Sequence, residues 1–195
     1  MSYGTIRLFA MDFVSRAGEK LQYALDTFNI SVNEKIVADF GTSTGGFTDC
    51  LLQNGAKRVY AVDTSYGELD WKLRNDERVV VMEKTNAMHV KLPEKVDLIT
   101  IDVGWTKQEK VIPNALANLK DDGVMLSLIK PHYEAEKYML RGGKLADEFI
   151  DKVLARVKEK IEKLGANIVQ LIESPILGEK GKNKEFLALI RNIQT

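Results

Sequence analysis

The residues of this chain best suited to chemistry begin in Asp39-Phe40-Gly41-Thr42-Ser43-Thr44-Gly45-Gly46-Phe47. Gly41 permits a tight turn, and Gly45 and Gly46 let a ligand approach backbone where a helix starts. Exposed N–H groups and the positive end of that helix favour a carboxylate. About twenty residues on, Asp63 closes a second apolar run. An acid in that place accepts hydrogen bonds from the two ribose hydroxyls of an adenosine cofactor; a cap for the following turn is the competing reading. The loop is neither G-x-G-x-x-G nor G-x-x-x-x-G-K-[ST], which argues against a nicotinamide dinucleotide and against a P-loop. Asp102 and Lys130 end two further apolar runs. A lysine between such a run and Pro131 faces the crevice beyond the strand ends; for Asp102 a cap for the next turn is the competing reading.

These residues need a frame that gathers strand ends. Ser15 reads as an N-cap, with Leu21, Ala24, Leu25 and Phe28 following at helical spacing. Lys35–Phe40 is a short apolar strand, 44–54 a helix closed by Gly55 as its C′ residue, and Arg58–Asp63 a second strand. A short helix is expected over 69–75, strands over 79–82 and 96–101, a helix over 111–119 and a fifth strand over 123–129. The longest helical pattern covers 147–164, with Phe149, Ile150, Val153, Leu154, Val157 and Ile161 on one face. Its opposite face mixes Lys152, Arg156, Lys158, Lys160 and Lys163 with glutamates, the pattern of a solvated surface. The last strands are 167–172 and 185–191, and the short link holding Pro175, Gly178 and Gly181 implies an antiparallel edge pair. Alternating β and α predicts an α/β fold, a doubly wound, mostly parallel sheet of seven strands. One domain over 1–195 is expected, with 1–13 as a loosely held arm.

Ser15-Arg16-Ala17-Gly18-Glu19-Lys20-Leu21, Gly41 through Leu52, Lys130-Pro131 and Lys184-Glu185-Phe186-Leu187 together resemble FtsJ-type RNA ribose 2′-O-methyltransferases, most closely the TlyA (hemolysin A) branch. The resemblance runs from about Val14 to Ile190. It implies a Rossmann-like class I methyltransferase fold, S-adenosyl-L-methionine as cofactor, and RNA, specifically ribosomal RNA or a ribosomal subunit, as partner. It also implies a Lys-Asp-Lys-Glu tetrad, whose matching positions are Lys20, Asp102, Lys130 and Glu185. Cofactor contacts fall on Asp39, Gly41, Ser43, Thr44, Gly45, Gly46, Phe47, Asp63, Asn86 and Asp102. Asn86 would meet the adenine edge; forming a turn is its alternative role. Taken singly, Lys20 reads as a lysine snorkelling at a helix boundary and Glu185 as an exposed edge residue.

The implied reaction is in-line attack of a hydroxyl oxygen on a sulfonium methyl. A ribose hydroxyl is a poor nucleophile at neutral pH and needs orientation and a route for its proton. Two carboxylates beside two ammonium groups raise the lysine pKa values, while burial lowers them. Lys130 is then either a desolvated base, or a charged group that orients the hydroxyl while Asp102 takes the proton. Trp105 and Tyr133 are candidates to stack on a base, against core or lid packing. Lys180, Lys182 and Lys184 are candidates to hold phosphates, against a solvated loop.

The chain departs from its resemblance in places that concern substrate. Members of the branch carry an N-terminal S4 RNA-binding domain, and this chain begins too late to hold one, so another chain or a ribosomal partner is expected to supply it. Val103-Gly104-Trp105-Thr106-Lys107 replaces a Ser-Phe-type segment after Asp102, and His132-Tyr133-Glu134 replaces Gln-Phe-Glu after Lys-Pro.

Composition narrows the class further. Lys plus Arg and Asp plus Glu are both 28, so bulk charge does not draw the protein to nucleic acid, and local patches must. The lone Cys50 excludes an intrachain disulfide and reads as a small buried filler rather than a reactive thiol; no metal site is expected. No signal-like segment and no apolar run of the roughly 20 residues that span a bilayer are present, so a cytoplasmic protein away from membranes is expected. The competing functional class is a catalytically silent RNA-binding or ribosome-assembly factor that has kept the fold. A small-molecule methyltransferase is a further alternative, and no amphipathic segment supports a membrane-acting haemolysin.

Overall fold

A computed structural model describes residues 12–178 and 182–193. Most of the proposed arm, with Lys180 and Gly181, lies outside the described residues. Helix α1 (Ala17–Phe28) buries Leu21, Ala24, Leu25 and Phe28, as its spacing predicts. Ser15 is not its cap: the helix begins after Arg16 without a side-chain cap, and Ser15 gives only its carbonyl to the Gly18 N–H at 3.0 Å. Strand β1 (Ile36–Phe40) runs into α2 (Gly46–Gln53), and Gly55 ends that helix at φ +86°. Then come β2 (Arg58–Val62) and α3 (Trp71–Arg74). The latter is shorter than expected because Asp70 caps it, accepting from the Lys72 N–H at 2.8 Å.

Strands β3 (Val79–Met82) and β4 (Val96–Ile101) fall where apolar runs place them. Helix α4 (Gln108–Asn118) starts three residues before the expected Val111. The cause is remote in sequence: Glu134 Oε1 accepts the Gln108 N–H at 2.7 Å and satisfies the helix start from another element. Strand β5 (Leu119–Ile129) begins earlier than 123, and its pairing with β4 shifts register between Val96 and Leu98. A four-residue helix α5 (Pro131–Glu134) precedes a hairpin that periodicity did not suggest, β6 (Leu140–Arg141) with β7 (Lys144–Leu145). The expected helix over 147–164 divides into a 3₁₀ turn at Asp147–Phe149 and α6 (Ile150–Lys163). Strands β8 (Ala166–Glu173) and β9 (Phe186–Asn192) close the chain.

The seven-stranded sheet has the order β3-β2-β1-β4-β5-β9-β8. Strands β1 to β5 are parallel, and β9 inserts antiparallel between β5 and β8. Each face carries a core. Helices α1 to α3 cover one with Leu21, Leu51 and Leu73, and α4 and α6 cover the other with Ile112, Val157 and Ile161. Cys50 is fully buried in the first core, and burial pushes its thiol far above the ordinary range, which fits the filler reading. The chain leaves β1 toward one face and β4 toward the other, so a crevice opens beyond their carboxyl ends. No helix of the described residues is long and apolar enough to cross a membrane.

Candidate active site

A cleft of about 520 Å³ lies at that switch point, within the usual range of about 300–1,000 Å³ for small-molecule sites. Lys20 from α1, Asp102 after β4, Lys130 after β5 and Glu185 before β9 all line it. They meet as two ion pairs. Lys20 Nζ stands 2.6 Å from Glu185 Oε2, with side chains only 7% and 5% exposed. Lys130 Nζ stands 2.5 Å from Asp102 Oδ1 in a wetter position. The bland readings of Lys20 and Glu185 therefore fail, since neither snorkels nor sits on an open edge. Burial pushes the Lys130 ammonium toward neutrality, but Asp102, reinforced by Glu185, outweighs it and holds its pKa above the ordinary lysine value.

The glycine loop forms the floor. Gly41 sits at φ +89°, and a Cβ there would come within 2.5 Å of the Asp102 carbonyl oxygen, so the turns after β1 and β4 pack backbone to backbone. Gly46 faces the cleft, and a Cβ on it would meet Ser15 Oγ at 2.2 Å. Among the described residues no side chain caps α2, whose N-cap is Gly45, so the N-terminal amides of a helix face the cleft beside Gly46 and Phe47. Ser43 and Thr44 line the same wall.

Other candidates lie elsewhere. Gly45 does not line the cleft; its φ of +102° calls for glycine, and Leu73 Cδ1 packs against it where a Cβ would stand, at 2.3 Å. Asp39 is fully buried beneath the loop, where the hydroxyls of Thr48 and Thr100 each donate to it at 2.8 Å. Desolvation pushes its carboxyl up to about 7, against the two threonine bonds. Asp63 pins two loops together: the Ser43 N–H donates to Oδ2 at 2.8 Å, and the Ser65 N–H and hydroxyl to Oδ1, each at 2.8 Å. Those bonds use three of roughly four acceptor sites on a carboxylate, leaving little room for two ribose hydroxyls unless Ser65 yields. Asn86 is exposed and forms a turn, its Oδ1 accepting the Met88 N–H at 2.9 Å. Neither Asp63 nor Asn86 lines the cleft.

Several cleft residues were not assigned from sequence. Ser15, Arg16 and Ala17 form one wall, held there because the Val14 N–H donates to buried Asp49 Oδ2 at 2.9 Å. The signal was present in the Ser-Arg-Ala-Gly run ahead of Lys20, but only tertiary contact with Gly46 gives it meaning. At the mouth Trp105 is 82% exposed at φ +54° and stacks on Tyr133, with centroids 4.7 Å apart and planes at 27°. His132 also lines the cleft, its pKa lowered by burial and by Lys130. The charged face of α6 is a paired, solvated surface, with Lys160 to Glu109 at 2.7 Å and Lys163 to Glu159 at 2.6 Å.

A parallel sheet carrying one inserted antiparallel strand, with a glycine loop after β1, defines a Rossmann-like methyltransferase fold. Distant structures share it, among them the ribosomal protein L11 methylase of Lactobacillus delbrueckii subsp. bulgaricus (19% identity, TM-score 0.60, 89% of this chain and 79% of that one). The profile of the FtsJ-like methyltransferase family matches residues 13–191, and the chain belongs to that family. It is 43% identical over 182 residues to "Hemolysin A" of Brachyspira hyodysenteriae, covering 90% of this chain and 75% of that one. Identity is 38% over 183 residues to the 16S/23S rRNA (cytidine-2′-O)-methyltransferase TlyA of Mycobacterium tuberculosis, covering 91% and 68%. A solved structure from Streptococcus thermophilus, provisionally named a hemolysin, superposes at TM-score 0.91 with 38% identity, covering 95% and 69%.

Proposed function

We propose that this protein transfers the methyl group of S-adenosylmethionine to a ribose 2′-hydroxyl of ribosomal RNA. The observation that carries the reading is the convergence of the Lys20–Glu185 and Lys130–Asp102 pairs on one cleft, beside a helix N-terminus that no side chain of the described residues caps. A carboxylate suits those amides, so Gly46, Phe47 and the Ser43–Thr44 turn would hold the amino-acid end of the cofactor. Asp63, at the end of β2, would hold ribose once Ser65 gives up its bonds to Oδ1. When bound, S-adenosylmethionine supplies an electrophilic methyl on a positively charged sulfur.

The remaining work falls to side chains of this chain. With its pKa raised by Asp102, Lys130 enters the reaction as an ammonium. It donates to the substrate hydroxyl oxygen and fixes its direction. Asp102, already in contact with Lys130 Nζ, would accept the hydroxyl proton as the oxygen–carbon bond forms and the methyl–sulfur bond breaks, the sulfur leaving as a neutral thioether. Of the two roles open to Lys130, the geometry supports the orienting one. Lys20 and Glu185 wall the cleft with a neutralised pair that adds no net charge at the reacting centre. Positioning of this kind supplies effective molarities of about 10⁵ M or more.

The test is transfer of tritiated methyl from S-adenosylmethionine to ribosomal RNA from a strain lacking this protein, with the label mapped to a ribose. Lys130→Ala should slow transfer by about 10²–10⁴-fold while cofactor affinity, measured by calorimetry, stays within about threefold. Unchanged transfer in Lys130→Ala would refute the mechanism. Cofactor binding without transfer to any RNA would favour the silent assembly factor.

A further inference from the structure

We propose that the β6–β7 hairpin and residues 182–184 form one basic arm that grips the ribose-phosphate backbone of RNA beside the methylated nucleotide. This rests on the RNA reading above and adds a surface to it. The hairpin turns through Gly142 at φ +57° and Gly143 at φ +80°, the two-residue geometry that suits strand twist. With two residues per strand it is too short to hold its own shape. Two buried anchors, Met139 and Leu145, fasten it from below, and β7 packs beside α5, directly after Lys130.

A third fastening decides where the hairpin points. Asn183 is buried: its Oδ1 accepts the Leu145 N–H at 2.9 Å, and its Nδ2 donates to the Gly143 carbonyl at 3.2 Å. Its own carbonyl accepts the Gly178 N–H at 2.9 Å. One amide thus welds the hairpin to the segment that enters β9, and two residues further Glu185 stands in the cleft. The arm is therefore indexed to the reacting centre, which a solvated loop has no need to be.

Its outer surface is cationic and aromatic. The Arg141 side chain is 84% exposed and 3.9 Å from Glu148, its one acidic neighbour within 4 Å among the described residues. Lys144 and Lys182 are exposed, with no acidic group within 4 Å among the described residues, and Lys182 sits at φ +46°. Tyr138 is exposed beside them, edge-on to Phe149. In a chain of zero net charge this is a local patch, with the mix of cations and an aromatic ring that a nucleic-acid strand uses. Phosphates would replace the loose contacts of Arg141 with Glu148 and of Lys184 with Asp147, the latter at 3.5 Å.

The experiment compares the full chain with Arg141→Glu/Lys144→Glu/Lys182→Glu, using a ribosomal RNA fragment that the unaltered protein methylates. Fluorescence anisotropy against KCl should show affinity at least tenfold weaker and a log–log salt slope shallower by about two, since each lost phosphate contact removes about 0.7–0.9. The RNA KM should rise in step, with kcat at saturating RNA and calorimetric cofactor affinity both within about twofold of the unaltered protein. Asn183→Ala keeps every charge and should still raise the RNA KM by loosening the hairpin. The triple variant alters only exposed side chains, so it decides the matter even where Asn183→Ala fails to fold. An unchanged salt slope and KM in the triple variant, with the unaltered protein active, would overturn the arm alone. No methyl transfer to any RNA by the unaltered protein would overturn the functional reading and the arm with it.

Discussion

At the scale of single residues, two acids show how burial assigns roles that residue type leaves open. Glu185 and Lys20 are paired at 2.6 Å away from water. Removing one partner strands a charge, at a cost of about 3–5 kcal/mol, whereas replacing both with apolar groups of similar volume is close to neutral. Lys20→Met should therefore lower the urea-unfolding free energy by about that much. Lys20→Met/Glu185→Leu should recover most of it and still transfer methyl poorly; recovery of activity along with stability would remove the pair from the reaction. Asp39 behaves differently because, among the described residues, it pairs with two threonines and no cation. The folded carboxyl keeps its proton up to about 7, while the unfolded chain releases it near 3.8, so the native state loses stability as pH rises between those values. Asp39→Asn keeps the shape and the threonine partners without that charge. Its unfolding free energy relative to the unaltered protein should rise from pH 4 to pH 8 by about 2–4 kcal/mol; a constant difference across that range would show the carboxyl titrating at its ordinary value.

At the scale of elements, the helices and strands that carry the site are positioned by contacts between segments. Glu134 is the clearest instance. Its carboxylate sets the first residue of α4, Gln108, whose side chain in turn accepts from Ser127 on β5 at 2.7 Å. Burial raises the Glu134 carboxyl, opposed by that backbone bond. The link holds the 103–107 turn against α5, and with it the Trp105–Tyr133 stack at the cleft mouth. Glu134→Ala should cost about 1–2 kcal/mol of stability, as loss of a cap does, and should raise the RNA KM more than the cofactor Kd. Equal effects on the two would assign Glu134 to general stability only. Periodicity found α4 but not its start, because the cap comes from 26 residues away in sequence. The hairpin escaped for a related reason: two-residue strands carry no period, and their partner Asn183 lies beyond α6 and β8.

At the scale of the whole molecule, β9 is the tie. It lies between β5 and β8 with Leu187, Ala188, Leu189 and Ile190 buried, so the last segment of chain is interior to the sheet. It also delivers Glu185 to Lys20, from opposite ends of the sequence. A chain ending at residue 173 would leave β5 unpaired along one edge and both cores open. It should show no cooperative thermal transition by far-UV circular dichroism; a sharp melt in that truncation would mean that β9 is dispensable to the fold.

What the amino-acid order determined was local or periodic. Apolar runs of strand length, amphipathic helices and the glycine turn after β1 announce the alternating α/β plan, and the family motifs name the residues that approach one another. Asp102 and Lys130 were legible because motif and strand end coincide, Lys20 and Glu185 only through the family motifs. What only the tertiary structure decided was which way each acid and glycine faces. Asp39 and Gly45 sit in the loop that reads as ligand-binding, yet one turns beneath it to two threonines and the other accommodates Leu73. Asp63 spends most of its acceptors on serines. Those outcomes depend on desolvation and on atoms brought together from distant segments, and neither quantity is a property of spacing along a chain.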